Sequence, residues 1–454
     1  MNSIVGHCIG VIMIGMTILV NAGTVYANFE SFPEPNPPEV QRDAEMLQQS
    51  PTVLRAIGPS VEWEYHKTSD NRHPNGNEQQ LMWLMNRARS NPTVEGIWLA
   101  TIHDRYYPYI NGCSRLADDI DFCYIAGALD YWGVDLDLLQ DEFADYDTKP
   151  PAAFDERLYQ AAKAHSDYLI SIDDQNHTGQ FDRIDDHNFF YSRARGNVFS
   201  YSLSGNYGHA AFNVDWGPDG GDGSGMQSPR GHRLAIMSID GDYTNVGYAV
   251  VPESDSATDV GPQVITGNYC EANTAVVNHY NRFLVGTVWS DDDGDDFYDP
   301  GEGIGGVTVM PDQGAYYAVT SDAGGYAVPI TQPGTYEVTF SGGGRAFSEG
   351  VVKTVRIVNE SVLLDLVENA NSDPSADDSS GSGGVCFITS VSEGNIADLK
   401  LWLTPILSAI ILLGSTDRGK RSQMNTRGAV IMGICPNRKN VIEKSGCAEK
   451  GDIL

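Results

Sequence analysis

A twelve-residue acidic segment, Asp291 to Glu302 (DDDGDDFYDPGE), constrains the fold of this chain more than any other part of its sequence. Five of its carboxylates fall at positions 1, 3, 5, 9 and 12, namely Asp291, Asp293, Asp295, Asp299 and Glu302. The carbonyl of Phe297 falls at position 7. This is the oxygen-ligand spacing of a calcium loop, because Ca²⁺ takes roughly six to eight oxygens and the final Glu can bind with both of its own.

Without a cation the carboxylates of this segment, which we call the acidic loop, would repel one another. The sequence therefore predicts that the acidic loop binds calcium, and a solvated acidic turn is the alternative. Position 6 departs from the pattern, because Asp296 stands where a calcium loop usually has Gly for its sharp turn.

Short alternating segments split by Gly, Asp and Pro surround the acidic loop, from Phe283 to Val358. This pattern is typical of a small antiparallel β-sandwich. We assign residues 281–368 to that domain.

The charge of the whole chain narrows the classes of partner. Lys and Arg number 29 against 61 Asp and Glu, which gives a formal net charge of −32 over 454 residues. Such acidity favours cations and argues against a nucleic-acid partner. The 41% of hydrophobic residues is enough to build packed cores.

The N-terminus predicts secretion. An apolar run from Ile9 to Val20 is too short to span a bilayer, and the small-residue pattern Val25-Tyr26-Ala27 follows it. Residues 1–27 are therefore predicted to be a signal peptide, although its start lacks Lys and Arg. Residues 28–74, rich in Pro, Glu and Asn, are predicted to form an extended leader.

The C-terminus predicts retention at the cell surface. Residues 369–384 are a polar linker, and 385–421 hold the apolar stretch Leu399 to Gly414 followed by a basic cluster. This order resembles the sorting tails of bacterial surface proteins, with the cations on the cytoplasmic side. An ordinary amphipathic helix is the alternative, and residues 422–454 are read as a tail. Contact with a membrane is expected only through this hydrophobic segment.

Seven cysteines are present and none forms a CxxC motif. Cys113 and Cys123 are close enough in sequence to form a local disulfide in an oxidising compartment, and two buried thiols are the alternative.

Helices come before the β-sandwich. Leu81, Leu84, Met85 and Ala88 recur at helical spacing until Asn91-Pro92, and a second helix with one apolar side runs from Phe154 to Leu169. The segment from Cys113 to Tyr146 between them is predicted to be an insertion. Strand-like runs follow at residues 197–202, 234–239 and 246–251. Helices followed by strands predict an α+β class, with a three-layer α/β/α sandwich over residues 75–260.

Three motifs in this block resemble the CAP (SCP-like) superfamily of cysteine-rich secretory proteins, antigen-5 allergens and pathogenesis-related proteins, which has many secreted bacterial members. They cover roughly Asn77 to Pro252 and are Leu84 to Arg89, Leu158 to Tyr168 with Asn176-His177-Thr178-Gly179, and Gly231-His232-Arg233 leading to Asn245 to Tyr248.

The resemblance implies a cleft in which two histidines and two acidic residues converge on zinc or another divalent cation. His177 and His232 match the two histidines. The first acidic position holds Gly196, and for the second we expect Asp215 or Asp219. With two matched ligands, tight metal binding is in doubt.

Other polar residues have simpler explanations. His165 lies on the apolar side of its helix and is expected to be a hydrogen-bonded core residue, whereas His209 is a weaker candidate for the cleft. Asp219, Asp222, Asp240 and Asp242 are most simply turn formers. The chain has no Gly-x-Ser-x-Gly elbow, His-Glu-x-x-His motif or phosphate loop. Catalytic residues are therefore unassigned.

The sequence around the acidic loop resembles a second family, the calcium-binding B-type repeats of serine-aspartate surface proteins. The matching segments are Val285 to Trp289, Gly303 to Val309, Thr320 to Tyr326 and Pro333 to Tyr336. In those proteins the modules serve as stalks of adhesins.

The sequence as a whole predicts an extracellular, surface-retained bacterial protein. We expect a CAP-type binding module with a histidine-lined cleft, carried on a calcium-stiffened stalk and meeting a small ligand, a lipid or a cell-surface partner. A metal-dependent hydrolase using His177 and His232 is the first alternative, and a structural adhesin is the second.

Overall fold

Capping residues fix where the long helices begin and end. At the start of the first helix, the Asn75 side chain accepts a hydrogen bond from the Glu78 amide while the Glu78 carboxylate accepts one from the Asn75 amide, which forms a capping box. Asn91 ends this helix and caps the next, which has Pro92 at its first position. The stop predicted at Asn91-Pro92 is therefore the junction between two helices.

The computed structural model describes residues 58–116, 119–219, 221–344 and 347–369, together with the backbone of 447–449. All of them lie in one compact unit, Ala56–Leu454. The helices are α1 (Gly76–Ser90), α2 (Pro92–Tyr106), α3 (Ile120–Trp132), α4 (Leu136–Ala144), α5 (Glu156–Ile172), α6 (Gln180–Asp186), α7 (Gly205–Ala210) and α8 (Gly231–Ile236). A π-helical turn, Ala211–Asp215, continues α7.

The described strands are β1 (Val61–Glu62), β2 (Ala153–Phe154), β3 (Tyr191–Ser202), β4 (Asn245–Pro252), β5 (Gln263–Ala272), β6 (Phe283–Asp291), β7 (Val307–Pro311), β8 (Tyr316–Val319), β9 (Gly325–Pro329), β10 (Gly334–Gly342), β11 (Phe347–Ile357), β12 (Val362–Leu363), β13 (Leu366–Asn369) and β14 (Cys447–Glu449). With the helices, these give a mixed α+β class with several mixed sheets.

The first sheet is formed mainly by residues 63–282, which we call the helical region, with β14 (Cys447–Glu449) added at one edge. Its order is β14-β3-β5-β4-β2, with β5 antiparallel to both β3 and β4, and β2 parallel to β4. Helix α5 lies directly on β4, where a Cβ at Gly247 would sit 2.6 Å from the Leu158 Cβ. Glycine at this position therefore permits the close approach of helix and sheet.

Two further sheets hold residues 283–369, which we call the β region. One has the order β1-β8-β7-β10-β11, and in the other β6 pairs with β12, β13 and β9. Buried side chains from both sheets form a shared core, among them Leu284, Val288, Val309, Val338 and Phe340.

The structure changes two predicted domain boundaries and shows how the predicted insertion folds. Residues 58–74, predicted to be part of an extended leader, are folded, because β1 pairs with β8 in the β region and His66 is buried. Strand β5 extends the first sheet to Ala272, beyond the predicted end at residue 260. The predicted insertion forms α3 and α4, and a Cβ at Gly96 would meet the Phe143 Cβ at 2.5 Å, so α4 packs tightly on α2.

One predicted strand is wrong. Residues 234–239 were expected to be extended, and α8 covers Gly231–Ile236 instead. A short apolar run of this kind is buried in either conformation, so its pattern alone does not distinguish a helix from a strand.

Within the described residues, the longest apolar helices are too short or too polar to cross a bilayer. The predicted signal peptide, most of the leader, the polar linker, the hydrophobic segment and nearly all of the tail lie outside the described residues.

Candidate functional sites

His232, one of the two histidines predicted for the cleft, lies at the start of α8. Its ring Nδ1 donates to Asp215 Oδ1 at 2.7 Å, and its backbone amide donates to Asp215 Oδ2 at 2.9 Å. Asp215 ends the π-helical turn with a positive φ of 57°, and Phe212 of the same turn stacks on the imidazole with ring centroids 5.5 Å apart. The π-helical turn therefore holds the ring of His232 in one orientation.

The other ring nitrogen of His232 is the unusual one. Nε2 is buried and has no hydrogen-bond partner among the described residues. The tautomer of His232 that carries its hydrogen on Nδ1 fits the acceptor oxygen of Asp215, and in that tautomer Nε2 is an acceptor. A buried acceptor without a partner is costly unless something else satisfies it.

His177 lies between α5 and α6 and is half-buried. Its Nδ1 donates to Gln180 Oε1 at 2.6 Å, and Gln180 Nε2 donates to Asn268 Oδ1 at 2.9 Å. A Cβ at Gly196 would sit 2.6 Å from the Gln180 Cδ. The amide of Gln180 thus fills the space in front of Gly196, a contact that no local motif in the sequence indicates.

The edge of the sheet at Gly196 is covered by β14. It runs antiparallel to β3, with Cys447 opposite Asn197, Ala448 opposite Gly196 and Glu449 opposite Arg195. The edge next to the predicted cleft therefore accepts an added strand.

The four residues predicted for the cleft do not form a metal-ligand cluster. Asp215 contacts His232, but Asp219 accepts hydrogen bonds from the amides of Gly221 (2.7 Å) and Gly225 (3.4 Å) in the Gly-rich turn. In the part of the chain that the structure describes, groups of three or more His, Cys, Asp or Glu ligand atoms within 4.8 Å of one another occur only in the acidic loop.

His209 belongs to a buried ionic network rather than to an open site. Its Nε2 donates to Glu95 Oε1 at 2.8 Å, and Arg87 donates to Glu95 Oε2 at 2.9 Å. Burial raises the pKa of Glu95, but the opposing charge of Arg87 and the bond from His209 outweigh it and hold that pKa below its usual range. The sequence analysis missed Glu95, whose partner lies more than a hundred residues further along the chain.

Three further predictions meet the structure directly. His165 is buried, its Nε2 donates to the Asn176 carbonyl at 3.0 Å, and burial lowers its pKa to about 4. A disulfide joins Cys113 to Cys123, with the Cα atoms 5.5 Å apart. Asp240, predicted to be a turn former, lies in a turn and also pairs with Arg195.

The acidic loop brings its five predicted carboxylates together in two overlapping groups. One holds Asp291, Asp293 and Glu302, and the other holds Asp293, Asp295 and Asp299. The backbone wraps around them, because Asp291 Oδ1 accepts from the Gly294 amide at 2.9 Å and Glu302 Oε2 accepts from the Asp299 amide at 2.7 Å.

The predicted departure at position 6 is visible in the backbone. Asp296 adopts a left-handed conformation with φ 61°, the region that Gly normally supplies in such a turn. The sharp turn therefore forms despite the side chain.

The charge state of the loop reflects its crowding. Burial, reinforced by neighbouring carboxylates, raises the pKa of Asp299 to about 6. Burial likewise raises the pKa of Glu302 to about 7, with Asp299 and Asp293 adding to the shift. Both shifts indicate carboxylates that lack a compensating positive charge.

Phe297, whose carbonyl is a predicted ligand, turns its ring away from the acidic side chains and into a buried aromatic cluster. The ring centroids of Trp83, Trp98 and Phe122 lie 5.1, 5.8 and 5.9 Å from that of Phe297. All three belong to the helical region.

Comparisons with protein-family models, with curated proteins and with solved structures found no match to this chain.

Proposed function

We propose that this chain is a secreted, surface-held bacterial protein whose helical region is a CAP-type binding module, presented on a β-sandwich stalk that calcium stabilises. Three observations support this architecture. A mostly antiparallel sheet carries α5 on one face, residues 283–369 contribute to two sheets around one core, and the disulfide between Cys113 and Cys123 fits an oxidising compartment.

The observation that carries the binding role is the imidazole of His232. Asp215 fixes its orientation and leaves Nε2 buried as an acceptor without a partner in the described residues. A ligand group that donates a hydrogen bond, such as a hydroxyl or an amide, would satisfy that nitrogen. A small polar ligand is therefore the best match to the site.

A metal-dependent hydrolase remains the alternative function, but the geometry gives it less support. Its metal would need a carboxylate close to both His177 and His232, and those residues form no ligand cluster with Asp215 or Asp219 in the described structure. The first acidic position of the cleft is Gly196, in front of which the neutral amide of Gln180 lies. A structural adhesin is the second alternative, in which neither histidine contributes to binding.

Zinc titration by calorimetry separates the two roles of the cleft. If the helical region is a binding module without a metal centre, the purified full chain should bind no stoichiometric zinc that depends on both His177 and His232. The variants His177→Ala and His232→Ala test this dependence. Zinc binding at one equivalent that needs both histidines would establish the metal centre and overturn the proposal.

A fragment screen by ligand-observed NMR tests the binding role itself. Hydrogen-bond-donating fragments are expected to bind the full chain and to lose binding in His232→Ala. His103→Ala, which removes a half-buried histidine of α2, is the matched control and should keep every hit. A screen whose hits all survive in His232→Ala would favour the structural adhesin.

For the acidic loop we propose calcium as the ligand. Support comes from the five converging carboxylates, from the spacing of hard oxygen ligands, and from carboxyl groups whose burial is not offset by a positive charge. Calcium would offset part of the negative charge of the loop and link its two ends, Asp291 and Glu302.

Thermal unfolding of the full chain with and without CaCl₂ tests this assignment. Calcium should raise the Tm of the natural chain and leave that of the Asp291→Ala, Glu302→Ala double variant unchanged. Asp312→Ala, which removes an exposed carboxylate elsewhere in the β region, should respond like the natural chain. A full calcium shift in the double variant would rule out the acidic loop as the site.

A further inference from the structure

One side of the acidic loop packs against the helical region. We propose that calcium binding to the acidic loop and docking of that loop on α1, α2 and α3 are one coupled event, so that the ion clamps the two regions together. The inference rests on the calcium site proposed above and extends it from local stabilisation to control of the contact between the regions.

Helix α1 makes the polar part of this contact. Gln80 Nε2 donates to the Tyr298 carbonyl at 3.2 Å and to Asp299 Oδ1 at 3.1 Å, so a side chain of the helical region holds one of the predicted calcium ligands. One residue earlier, Gln79 Nε2 donates to Thr287 Oγ1 at 2.8 Å. Both glutamines are buried. These bonds position Asp299 only while α1 and the loop are docked.

The start of α1 also packs closely against the backbone of the loop. A Cβ at Gly76 would lie 2.8 Å from the Pro300 Cβ, inside the loop. The first turn of α1 therefore rests directly on the part of the loop between Asp299 and Glu302.

Phe297 is the apolar anchor. It stands between two predicted calcium ligands in the sequence, Asp295 and Asp299, yet its ring is packed among Trp83, Trp98 and Phe122, and the Arg87 Cζ lies 5.2 Å from its centroid. Phe297 and the ligand carboxylates therefore belong to the same short loop. A loop that rearranges when its carboxylates repel one another would also pull this ring out of its pocket.

Repulsion between carboxylates explains why calcium would favour docking of the loop on the helices. Asp121 on α3 interacts unfavourably with Asp299, so docking brings a further carboxylate toward a loop in which five predicted ligand carboxylates already lie close together. Without a cation, docking opposes this repulsion; with calcium bound, the same carboxylates become favourable partners of the ion. Coupling of this kind is reciprocal, so a change that weakens docking must also weaken calcium binding.

The test is calcium titration by calorimetry on the full chain, comparing the natural protein with Gln80→Ala and Trp83→Ala. Neither residue lies in the loop. We expect calcium affinity to fall by about 5-fold or more in each variant, the lower end of typical coupling between sites. Gln313→Ala is the matched control, because Gln313 donates an ordinary hydrogen bond to the Thr335 carbonyl elsewhere in the β region, and its affinity should be unchanged.

Hydrogen exchange of the natural chain provides a readout that needs no variant. Calcium should slow exchange in peptides covering Gly76 to Trp98 as well as in the loop. Calcium binding that Gln80→Ala and Trp83→Ala leave unchanged, with protection confined to Asp291 to Glu302, would overturn the clamp and leave the calcium site standing. Absence of calcium binding by the natural chain would instead overturn the site itself.

Discussion

Replacing Asp365 with Asn should change how the stability of this protein depends on pH. Asp365 lies between β12 and β13, where it accepts a hydrogen bond from the Thr287 amide at 2.8 Å and interacts with the side chain of Trp83. Burial is the largest influence on this carboxyl and raises its pKa to about 7, despite both hydrogen bonds. Asn keeps the shape and an acceptor oxygen and removes the charge.

The sign of the effect follows from the raised pKa. In the unfolded chain this carboxyl titrates near 3.8, and in the folded chain near 7. The folded state therefore binds the proton more tightly, and the stability gained from it is complete below about pH 4 and lost as the pH rises through 7. The difference between the two pKa values corresponds to a change of about 4 kcal/mol in the free energy of unfolding. Because the side chain is partly exposed to water, we expect roughly 2 to 4 kcal/mol.

Urea unfolding at pH 5, 6, 7 and 8, followed by tryptophan fluorescence, measures this effect. The quantity of interest is the difference in unfolding free energy between Asp365→Asn and the natural chain at each pH, because contributions from Asp299 and Glu302 cancel in that difference. The difference should move in favour of the variant by roughly 2 kcal/mol or more between pH 5 and pH 8. A difference that stays constant across this range would show that the folded chain does not raise the pKa of Asp365.

Two further substitutions test contacts within the helical region. Gly196→Ala places a methyl group against the buried amide of Gln180 and should lower the free energy of unfolding in urea by about 1 to 3 kcal/mol. The Gly196→Ala, Gln180→Ala double variant should lose less stability than the two single variants lose together. Strictly additive losses would show that the two side chains do not touch. Cys113→Ser removes the disulfide to Cys123 and should lower the free energy of unfolding by roughly 3 kcal/mol. A reducing agent should then have no further effect on the variant. An equal response of the variant and the natural chain to reduction would contradict the pairing.

Local patterns predicted local structure well. The apolar spacing up to Asn91-Pro92 places the end of α1, because Asn caps and Pro both act within one turn. The spacing of carboxylates in the acidic loop identifies the five side chains that converge, because the loop is short enough for its own sequence to set its shape. The left-handed backbone at Asp296 could be anticipated from the same count.

Contacts between distant parts of the chain could not be predicted in this way. Gln80 and Asp299, and likewise Glu95 and His209, are more than a hundred residues apart in sequence, and neither member of either pair carries a local signal for the other. Gln180 fills the space in front of Gly196 only because α6 packs against β3, a placement set by the tertiary fold. Residues that act through such packing become visible only in the structure.

Strand β1 has a consequence for how this protein can be divided. The chain enters through the sheet of the β region, where Val61 and Glu62 pair with Tyr316 and Tyr317, before it builds any of the helical region. No single cut separates the two regions intact. A fragment that begins at β6 would lose an edge strand and leave β8 open to pairing with other chains. The two regions are therefore expected to be expressed, inherited and exchanged between proteins as one piece.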